Sequence, residues 1–184
     1  LTGNSYLLND LPACSDHEVQ MRSSCGATSA DWSASTAFHV PGCGQCIEGL
    51  FCASHGDDSY EWIARVQLGN IDRSSAGDGG YANVDVTGQT TELTIGQTSP
   101  IMLEPGYASA SATFPEYFTV WMDLDRNGQF TLDELVFDAG HTVVAALDST
   151  LHVPAAATPG PVRVRVVMRY GQAVPTGCAV YAFG

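Results

Sequence analysis

The sequence contains no lysine, and its seven basic side chains are all arginine. Set against 20 aspartate and glutamate residues, they leave a formal net charge of −13. A chain of this charge is repelled by a phosphate backbone, which excludes nucleic acid as a partner. The excess of carboxylates favours cation binding, or a place in salty or extracellular water.

Long hydrophobic runs are also missing. No apolar run approaches the roughly 20 residues needed to span a bilayer, so we expect no membrane span. No signal peptide is seen at the amino terminus, and we expect a mature or excised product. With 184 residues, of which 45% are hydrophobic, the chain can bury the core of one ordinary domain plus an appendage.

Recognisable catalytic motifs are absent. The sequence has no HExxH helix, GxSxG elbow, P-loop or dinucleotide fingerprint, and its five histidines lack metal-ligand spacing. A carboxylate pair can still be assembled in three dimensions from Glu61, Glu104 and Glu116. The His-Gly-Asp-Asp run at 55–58 offers a metal ligand set or an acid/base pair, but a turn is the commoner reason for such residues. We expect no enzymatic activity, with a small secreted hydrolase or a peptidase-inhibiting module as an alternative.

One acidic stretch spaces its oxygen-bearing residues as an EF-hand-type calcium loop does. Gly128 stands at the turning position, where φ > 0 is needed, and Glu134 at the last position can offer both oxygens. Residues 117–122 are aromatic and β-branched and predict an entering strand rather than a helix. We therefore predict a calcium loop in a β protein, with a metal-free acidic turn as the alternative. The predicted ligands are Asp123, Asp125, Asn127, Gln129 (through its backbone carbonyl), Thr131 and Glu134.

A second and weaker candidate metal site lies in the glycine-rich turn at 72–81. Asp72 and Asp78, with the exposed carbonyls around the glycines, could bind calcium. A hairpin turn explains the same residues and is favoured here.

The six cysteines form an even set in a chain that otherwise looks extracellular, which favours disulfides. Zinc is the alternative, because Cys43 and Cys46 form a CxxC pair. A structural zinc site usually has two such close pairs, and here there is one. The cysteines are Cys14, Cys25, Cys43, Cys46, Cys52 and Cys178.

Beyond residue 51, short apolar stretches alternate with glycine-rich turns, which predicts an all-β, antiparallel β-sandwich of jelly-roll or immunoglobulin-like type. In the run 162–170, alternating valines should face the core, with Arg163 and Arg165 facing out or meeting carboxylates. Residues 1–51 predict an irregular, disulfide-stapled segment with a short helical turn at 16–21. The predicted domains are 1–51 and 52–184. Predicted strands are 60–68, 81–86, 91–95, 101–108, 117–124, 134–137, 142–147, 150–153, 162–170 and 179–183.

Several motifs, taken in order, resemble the GEVED domain. They are Phe-Cys-Ala-Ser-His-Gly at 51–56, Tyr-Glu-Trp-Ile-Ala-Arg-Val at 60–66, Asn-Ile-Asp-Arg-Ser at 70–74, Val-Trp-Met-Asp-Leu-Asp-Arg-Asn-Gly-Gln-Phe at 120–130, and Val-Arg-Val-Arg-Val at 162–166. The resemblance covers about residues 51–184. It implies a secreted bacterial β-sandwich module, usually attached to extracellular proteases or other surface proteins, with no catalytic residues of its own.

Two features are implied by position in this resemblance. Cys52 and Cys178 are similar to a cysteine pair of the family, which predicts a disulfide between them. The acidic loop is the second feature. The family's Gly-Glu-Val-Glu-Asp segment would begin at Gly184, where the sequence stops, so we expect an incomplete last strand.

These observations predict a noncatalytic, calcium-binding extracellular accessory or adhesion module of a secreted bacterial protein. Its partner would be a protein or glycan at the cell surface, or an upstream enzyme domain. Carbohydrate binding is the alternative, since many β-sandwiches bind glycans on an exposed row of coplanar rings. Candidate rings are Tyr60, Trp62, Tyr81, Tyr107, Tyr117 and Tyr170.

Overall fold

The computed structural model describes residues 15–40, 51–82 and 89–184. In these residues the regular structure is eleven strands, paired antiparallel, and one short 3-10 helix. The predicted all-β class is confirmed. The strands are β1 Ser15–Val19, β2 Ser24–Cys25, β3 Thr28–Ser29, β4 Thr36–Val40, β5 Glu61–Leu68, β6 Ile71–Ser74, β7 Thr98–Tyr107, β8 Glu116–Met122, β9 Leu135–Asp138, β10 Leu147–His152 and β11 Val164–Tyr170.

Two sheets form the sandwich. One has the strand order β10-β7-β5-β6 and the other the order β11-β8-β9. Alternate residues of β8 point into the space between the sheets, because side chains along a strand alternate between its faces. They meet apolar side chains of the opposite sheet in one buried core, whose fully buried members are Leu68, Ile101, Leu103, Phe118, Val120, Met122, Leu151, Val153 and Met168.

A second apolar cluster covers the outer face of the β11-β8-β9 sheet. The remaining residues of β8 enter it, so every residue of that strand is buried. The cover comes from the loop after β8 and from the carboxy-terminal segment, neither of which is regular structure. The buried members are Tyr117, Trp121, Phe130, Val167, Val174 and Tyr181. Because β8 is covered on both faces, Asp123, which follows it directly, is also buried.

Four predicted elements differ from the structure. Residues 16–21 lie largely in β1, which pairs with β4, so the predicted helical turn is wrong. Residues 91–95 form no strand, since the Thr91 hydroxyl accepts a hydrogen bond from Asn70 N (2.9 Å) and holds the β5–β6 turn. Residues 142–147 and 179–183 contribute only isolated bridges, at Val143 and Val180. The predicted strand 81–86 lies mostly outside the described residues.

The amino-terminal hairpins expose their large side chains. Trp32 is 56% exposed and lies under the Arg22 guanidinium, 4.5 Å from the ring centroid. Cys25 is exposed and forms no disulfide with any cysteine of the described ranges, because it sits at the tip of the two-residue hairpin β2–β3. Cys14, Cys43 and Cys46 lie outside those ranges, and the division into domains at residue 51 stays a prediction. None of the described segments forms a helix with the length and hydropathy of a membrane span.

Candidate metal centre

The acidic loop connects β8 to β9 and closes a hairpin, since Trp121 of β8 faces Leu135 of β9. Asp123 follows β8 directly, and its backbone N–H donates to the carbonyl of Arg163 (2.9 Å). A strand therefore enters the loop, as the aromatic and β-branched residues predict. At the far end the 3-10 helix Leu132–Glu134 turns the chain back, and Glu134 is buried.

The fold brings three of the predicted ligands together. Carboxylate oxygens of Asp123, Asp125 and Glu134 all lie within 4.8 Å of one another. Asp123 is 2% exposed and Glu134 is 4% exposed, whereas Asp125 faces solvent. In the described part of the chain, no other group of three or more histidine, cysteine or acidic side chains is placed to hold a metal.

Backbone amides of the loop orient Asp123 at the centre. Its Oδ1 accepts a hydrogen bond from Asn127 N (3.0 Å) and its Oδ2 accepts one from Gly128 N (3.1 Å). The Asn127 side-chain amide donates to Asp125 Oδ2 (2.7 Å), and its Oδ1 accepts from Gln129 N (2.7 Å). Asp123, Asp125 and Asn127 are the residues predicted for positions one, three and five of the calcium loop. They are therefore close to one another, and the loop is wound around them.

Glu134 closes the loop from its other end. Its Oε1 accepts from Leu124 N (2.7 Å), and its Oε2 accepts from Thr131 N (3.1 Å). Oε1 is thus directed back to the start of the loop, while Oε2 caps the 3-10 helix. Gln129 and Thr131 lie on the segment between, and their part in coordination stays a prediction.

The centre gathers three carboxylates, two of which are buried. Burial raises the pKa of Asp123 and the pKa of Glu134 above their usual values, and the nearby Asp125 charge raises both further. The ion pairs between described residues lie elsewhere, at Arg65–Asp72 and Arg73–Asp78. Hard oxygen donors around one point suit a hard cation.

Two residues of the loop adopt left-handed backbone conformations, Gly128 with φ 77° and Arg126 with φ 59°. Strain at a non-glycine residue persists only where the surroundings hold it. Here the Arg126 guanidinium donates to the carbonyls of Pro159 (2.9 Å) and Pro161 (3.0 Å). Arg126 therefore anchors the outer edge of the loop to the segment that precedes β11.

The disulfide predicted between Cys52 and Cys178 is present and spans 126 residues. It lies against the inner side of the loop. Cys52 N donates to the carbonyl of Gly128 (2.7 Å), and Phe130 N donates to the sulfur of Cys178 (3.1 Å). The residue at the turning position of the loop is thus tied to the crosslink.

Arg165 corrects a prediction. It neither faces out nor meets a carboxylate, but lies buried 4.2 Å from the Phe130 ring centroid. It donates to the carbonyls of Gly177 (2.7 Å) and Cys52 (3.0 Å). The outer face of its sheet is covered rather than wet, so its neighbours are carbonyls and rings, and burial lowers the pKa of its guanidinium. Val164 and Val166 pack toward the main core as predicted.

The family comparison concerns the carboxy-terminal part of the chain, which includes the acidic loop. Residues 117–184 match the GEVED domain. The GEVED match begins within β8 and takes in the whole acidic loop, β9 to β11 and Cys178, so the resemblance is confirmed over these residues. GEVED domains are accessory modules of secreted proteins, and an extracellular location is compatible with this chain. No curated protein and no solved structure matches the chain significantly.

Both carboxylates of the weaker candidate metal site, Asp72 and Asp78, accept hydrogen bonds from arginines. Asp72 accepts two hydrogen bonds from Arg65 (2.8 Å each), which hold the pKa of Asp72 at about 2. Asp78 accepts from Arg73 (3.1 Å). Asp72 is paired with an arginine across the β5–β6 hairpin, and Asp78 with an arginine five residues earlier, so the turn is explained without a metal.

Two of the three carboxylates suggested for a catalytic pair are buried. Glu61 is 2% exposed and Glu116 is fully buried, while Glu104 sits on β7 opposite Arg65. A cavity of about 930 Å³ lies between β5–β6 and β11, lined mainly by apolar side chains. Neither Glu61 nor Glu116 lines it.

The candidate rings for glycan binding are divided between the surface and the interior. Tyr60 and Tyr170 are exposed, but each meets Phe183 edge to face, at interplanar angles of 64° and 77°. Tyr117 is buried, and Trp121 is buried completely. Neither Tyr60 nor Tyr170 is therefore coplanar with Phe183, and Tyr81 is a further exposed candidate ring.

The left-handed turn of the loop gives a first prediction. We expect Gly128→Ala to weaken calcium binding about tenfold, since a left-handed residue with a side chain costs about 1–2 kcal/mol and the ion-bound loop cannot relax there. The matched control is Gly140→Ala, at another glycine with positive φ (71°) and open space around it. Calorimetric titration should show a changed calcium Kd for Gly128→Ala only. Equal Kd values for the two variants would contradict this geometry of the loop.

Proposed function

We propose that this protein is a noncatalytic, calcium-stabilised extracellular accessory module of a secreted bacterial protein, such as a protease or an adhesive surface protein. The observation that carries the proposal is the cluster of Asp123, Asp125 and Glu134 inside a segment that matches the GEVED domain. Three carboxylates converge on a loop whose spacing is that of a calcium loop.

Calcium would act as a structural clamp in this module. It would join the end of β8 to the start of β9 through Asp123 and Glu134, and so hold the loop against the disulfide at Gly128. The exposed edge of the site, at Asp125, would leave a coordination position for water. Such a clamp keeps a small domain folded outside the cell, where calcium is plentiful, and needs no catalytic group.

The proposal predicts that calcium raises the melting temperature and that a chelator lowers it. At a free calcium concentration about 100 times the Kd, binding adds about 2.7 kcal/mol to the free energy of unfolding. Thermal unfolding should be followed by circular dichroism in calcium, in magnesium and in EGTA. We expect the gain to be larger with Ca²⁺ than with Mg²⁺, which demands a tighter octahedral shell.

Two variants of the same chemistry separate the site from general charge effects. Asp125→Asn removes a carboxylate of the cluster, whereas Asp133→Asn removes an exposed carboxylate from the same loop that lies outside the cluster. The calcium-dependent shift should shrink in Asp125→Asn and persist in Asp133→Asn. A melting curve that calcium leaves unmoved in the wild type would overturn the proposal.

A further inference from the structure

Glu116 is a completely buried carboxyl without a partner. It is the first residue of β8 and 0% exposed, and neither Oε1 nor Oε2 has a hydrogen-bond partner in the described protein. Its backbone is fixed on both sides, through two 2.7 Å hydrogen bonds with Val143. A buried polar group without any partner is rare in native proteins and points to a missing water, ion or other ligand.

Glu61 is a second buried carboxyl, and it faces Tyr107 in the register of β5 and β7. It is the first residue of β5, in the opposite sheet, and it is 2% exposed. Burial and the charge of Glu61 raise the pKa of Glu116 to about 7, and burial also raises the pKa of Glu61. Two acids are thus placed at the same end of the sandwich, one from each sheet.

The Tyr107 hydroxyl donates its hydrogen bonds to the backbone and not to either acid. Tyr107 lies on β7 opposite Glu61, and its OH donates to the carbonyls of Phe114 (2.9 Å) and Val144 (3.2 Å). Phe114 lies two residues before Glu116, and Val144 follows Val143, which pairs with Glu116, so the Tyr107 phenol lies close to Glu116. The phenol is therefore near the pair but directed to the backbone.

No basic side chain neutralises the two acids. The chain has no lysine, and its seven arginines all lie among the described residues. Each arginine has a partner elsewhere, and neither an arginine nor a histidine is among the groups that shift the pKa of Glu61 or Glu116. The partners are Trp32 for Arg22, Asp72 for Arg65, Asp78 for Arg73, Pro159 and Pro161 for Arg126, Phe51 for Arg163, Cys52 and Gly177 for Arg165, and Ala173 for Arg169.

We propose that Glu61 and Glu116 are ligands of a second cation, bound between the two sheets and separate from the acidic loop. The ligand class is a hard divalent cation, because the donors are carboxylate oxygens and the charge to be balanced is two. The orphaned oxygens of Glu116 carry the inference, since a cation supplies both a partner and the missing charge. Such an ion would join β5 to β8 and so tie the sheets together at one end.

Calcium stoichiometry tests the proposal, with Ca²⁺ alone as the probe. Equilibrium dialysis at pH 8 should give two ions bound per chain in the wild type. A loop variant, Asp123→Asn with Glu134→Gln, should retain one ion. Adding Glu116→Gln, or separately Glu61→Gln, to the loop variant should remove that ion. Adding Glu92→Gln, which changes an exposed glutamate in the same way, should leave it bound.

The outcomes separate this site from the loop site. An ion that survives the loop variant and is lost with Glu116→Gln supports the second site, even if the loop itself binds nothing. An ion that survives Glu116→Gln and Glu61→Gln in folded protein overturns it. A loop variant that binds no calcium also overturns the second site. In that case the two glutamates share a proton instead of a cation, and Glu116→Gln should raise the melting temperature. Near-ultraviolet circular dichroism checks folding in every variant.

Discussion

Replacing both Cys52 and Cys178 with serine is expected to lower the free energy of unfolding by about 5 kcal/mol, by the chain-entropy relation for a crosslink. The effect is large because the bond closes a loop with a sequence separation of 126 residues, which restricts the unfolded chain strongly. A loss of this size is comparable to the whole stability of many small domains. Urea unfolding of the double variant in saturating calcium is the measurement.

The same variant should bind calcium more weakly. The disulfide holds the Cys52 backbone against Gly128, and the Cys178 sulfur accepts a hydrogen bond from Phe130 N. Without the crosslink the loop has more conformations to lose on binding the ion. Calorimetric titration should therefore give a higher Kd for the double variant, measured at a temperature where it is still folded.

Cys25→Ser is the matched control for the crosslink. This cysteine is exposed on the hairpin β2–β3 and forms no disulfide with a cysteine of the described residues. A surface substitution of this kind changes stability by about 0.5 kcal/mol or less. If the double variant is as stable as Cys25→Ser, the disulfide is not the main constraint on the carboxy-terminal segment.

The acidic loop could be predicted from the sequence because its information is local. Oxygen ligands within twelve consecutive residues need only the turn at Gly128 and the 3-10 helix before β9 to converge. The strand β8 could also be predicted from the sequence, since residues 117–121 are all aromatic or β-branched. The carboxylates Asp123 and Glu134 then become buried because β8 is covered on both faces.

Features that depend on distant contacts were not predictable. Arg165 alternates with valines, which indicates a wet outer face, yet the carboxy-terminal segment covers that face and supplies its carbonyl partners. In the second apolar cluster, Phe130, Val174 and Tyr181 lie outside the strands, so no hydrophobic periodicity predicts their burial. Threonine-rich residues 91–95 have strand propensity, but Thr91 serves the turn at Asn70 instead.

The burial of Glu61 and Glu116 belongs with these distant contacts. Each begins a strand that is otherwise apolar or mixed, and a charged residue at a strand end usually faces water. Only the packing of the two sheets places both acids inside. A sequence signal does exist in the composition, since a chain with no lysine has few cations to offer any buried carboxyl.

In calcium-free buffer, Glu116→Gln is expected to stabilise the protein at pH 8 by about 3 kcal/mol relative to its effect at pH 4.5, as proton linkage requires. Burial, and then the charge of Glu61, raise the pKa of Glu116 from 4.5 to about 7 in the folded protein. The folded state therefore holds a proton that the unfolded chain releases. Stability from this group is complete below pH 4.5 and is lost as the pH rises to about 7.

Urea unfolding of the wild type and Glu116→Gln between pH 4.5 and pH 8 tests this sign. The wild type should lose stability relative to the variant across that window, because glutamine has no proton to lose. Glu92→Gln, on the exposed surface, should run parallel to the wild type. Parallel curves for Glu116→Gln would mean that the carboxyl is not held neutral by its surroundings. Above pH 7, ionised Glu61 and Glu116 leave two negative charges between the sheets. The increase in the free energy of unfolding on adding calcium at that pH therefore measures how much a cation stabilises this position.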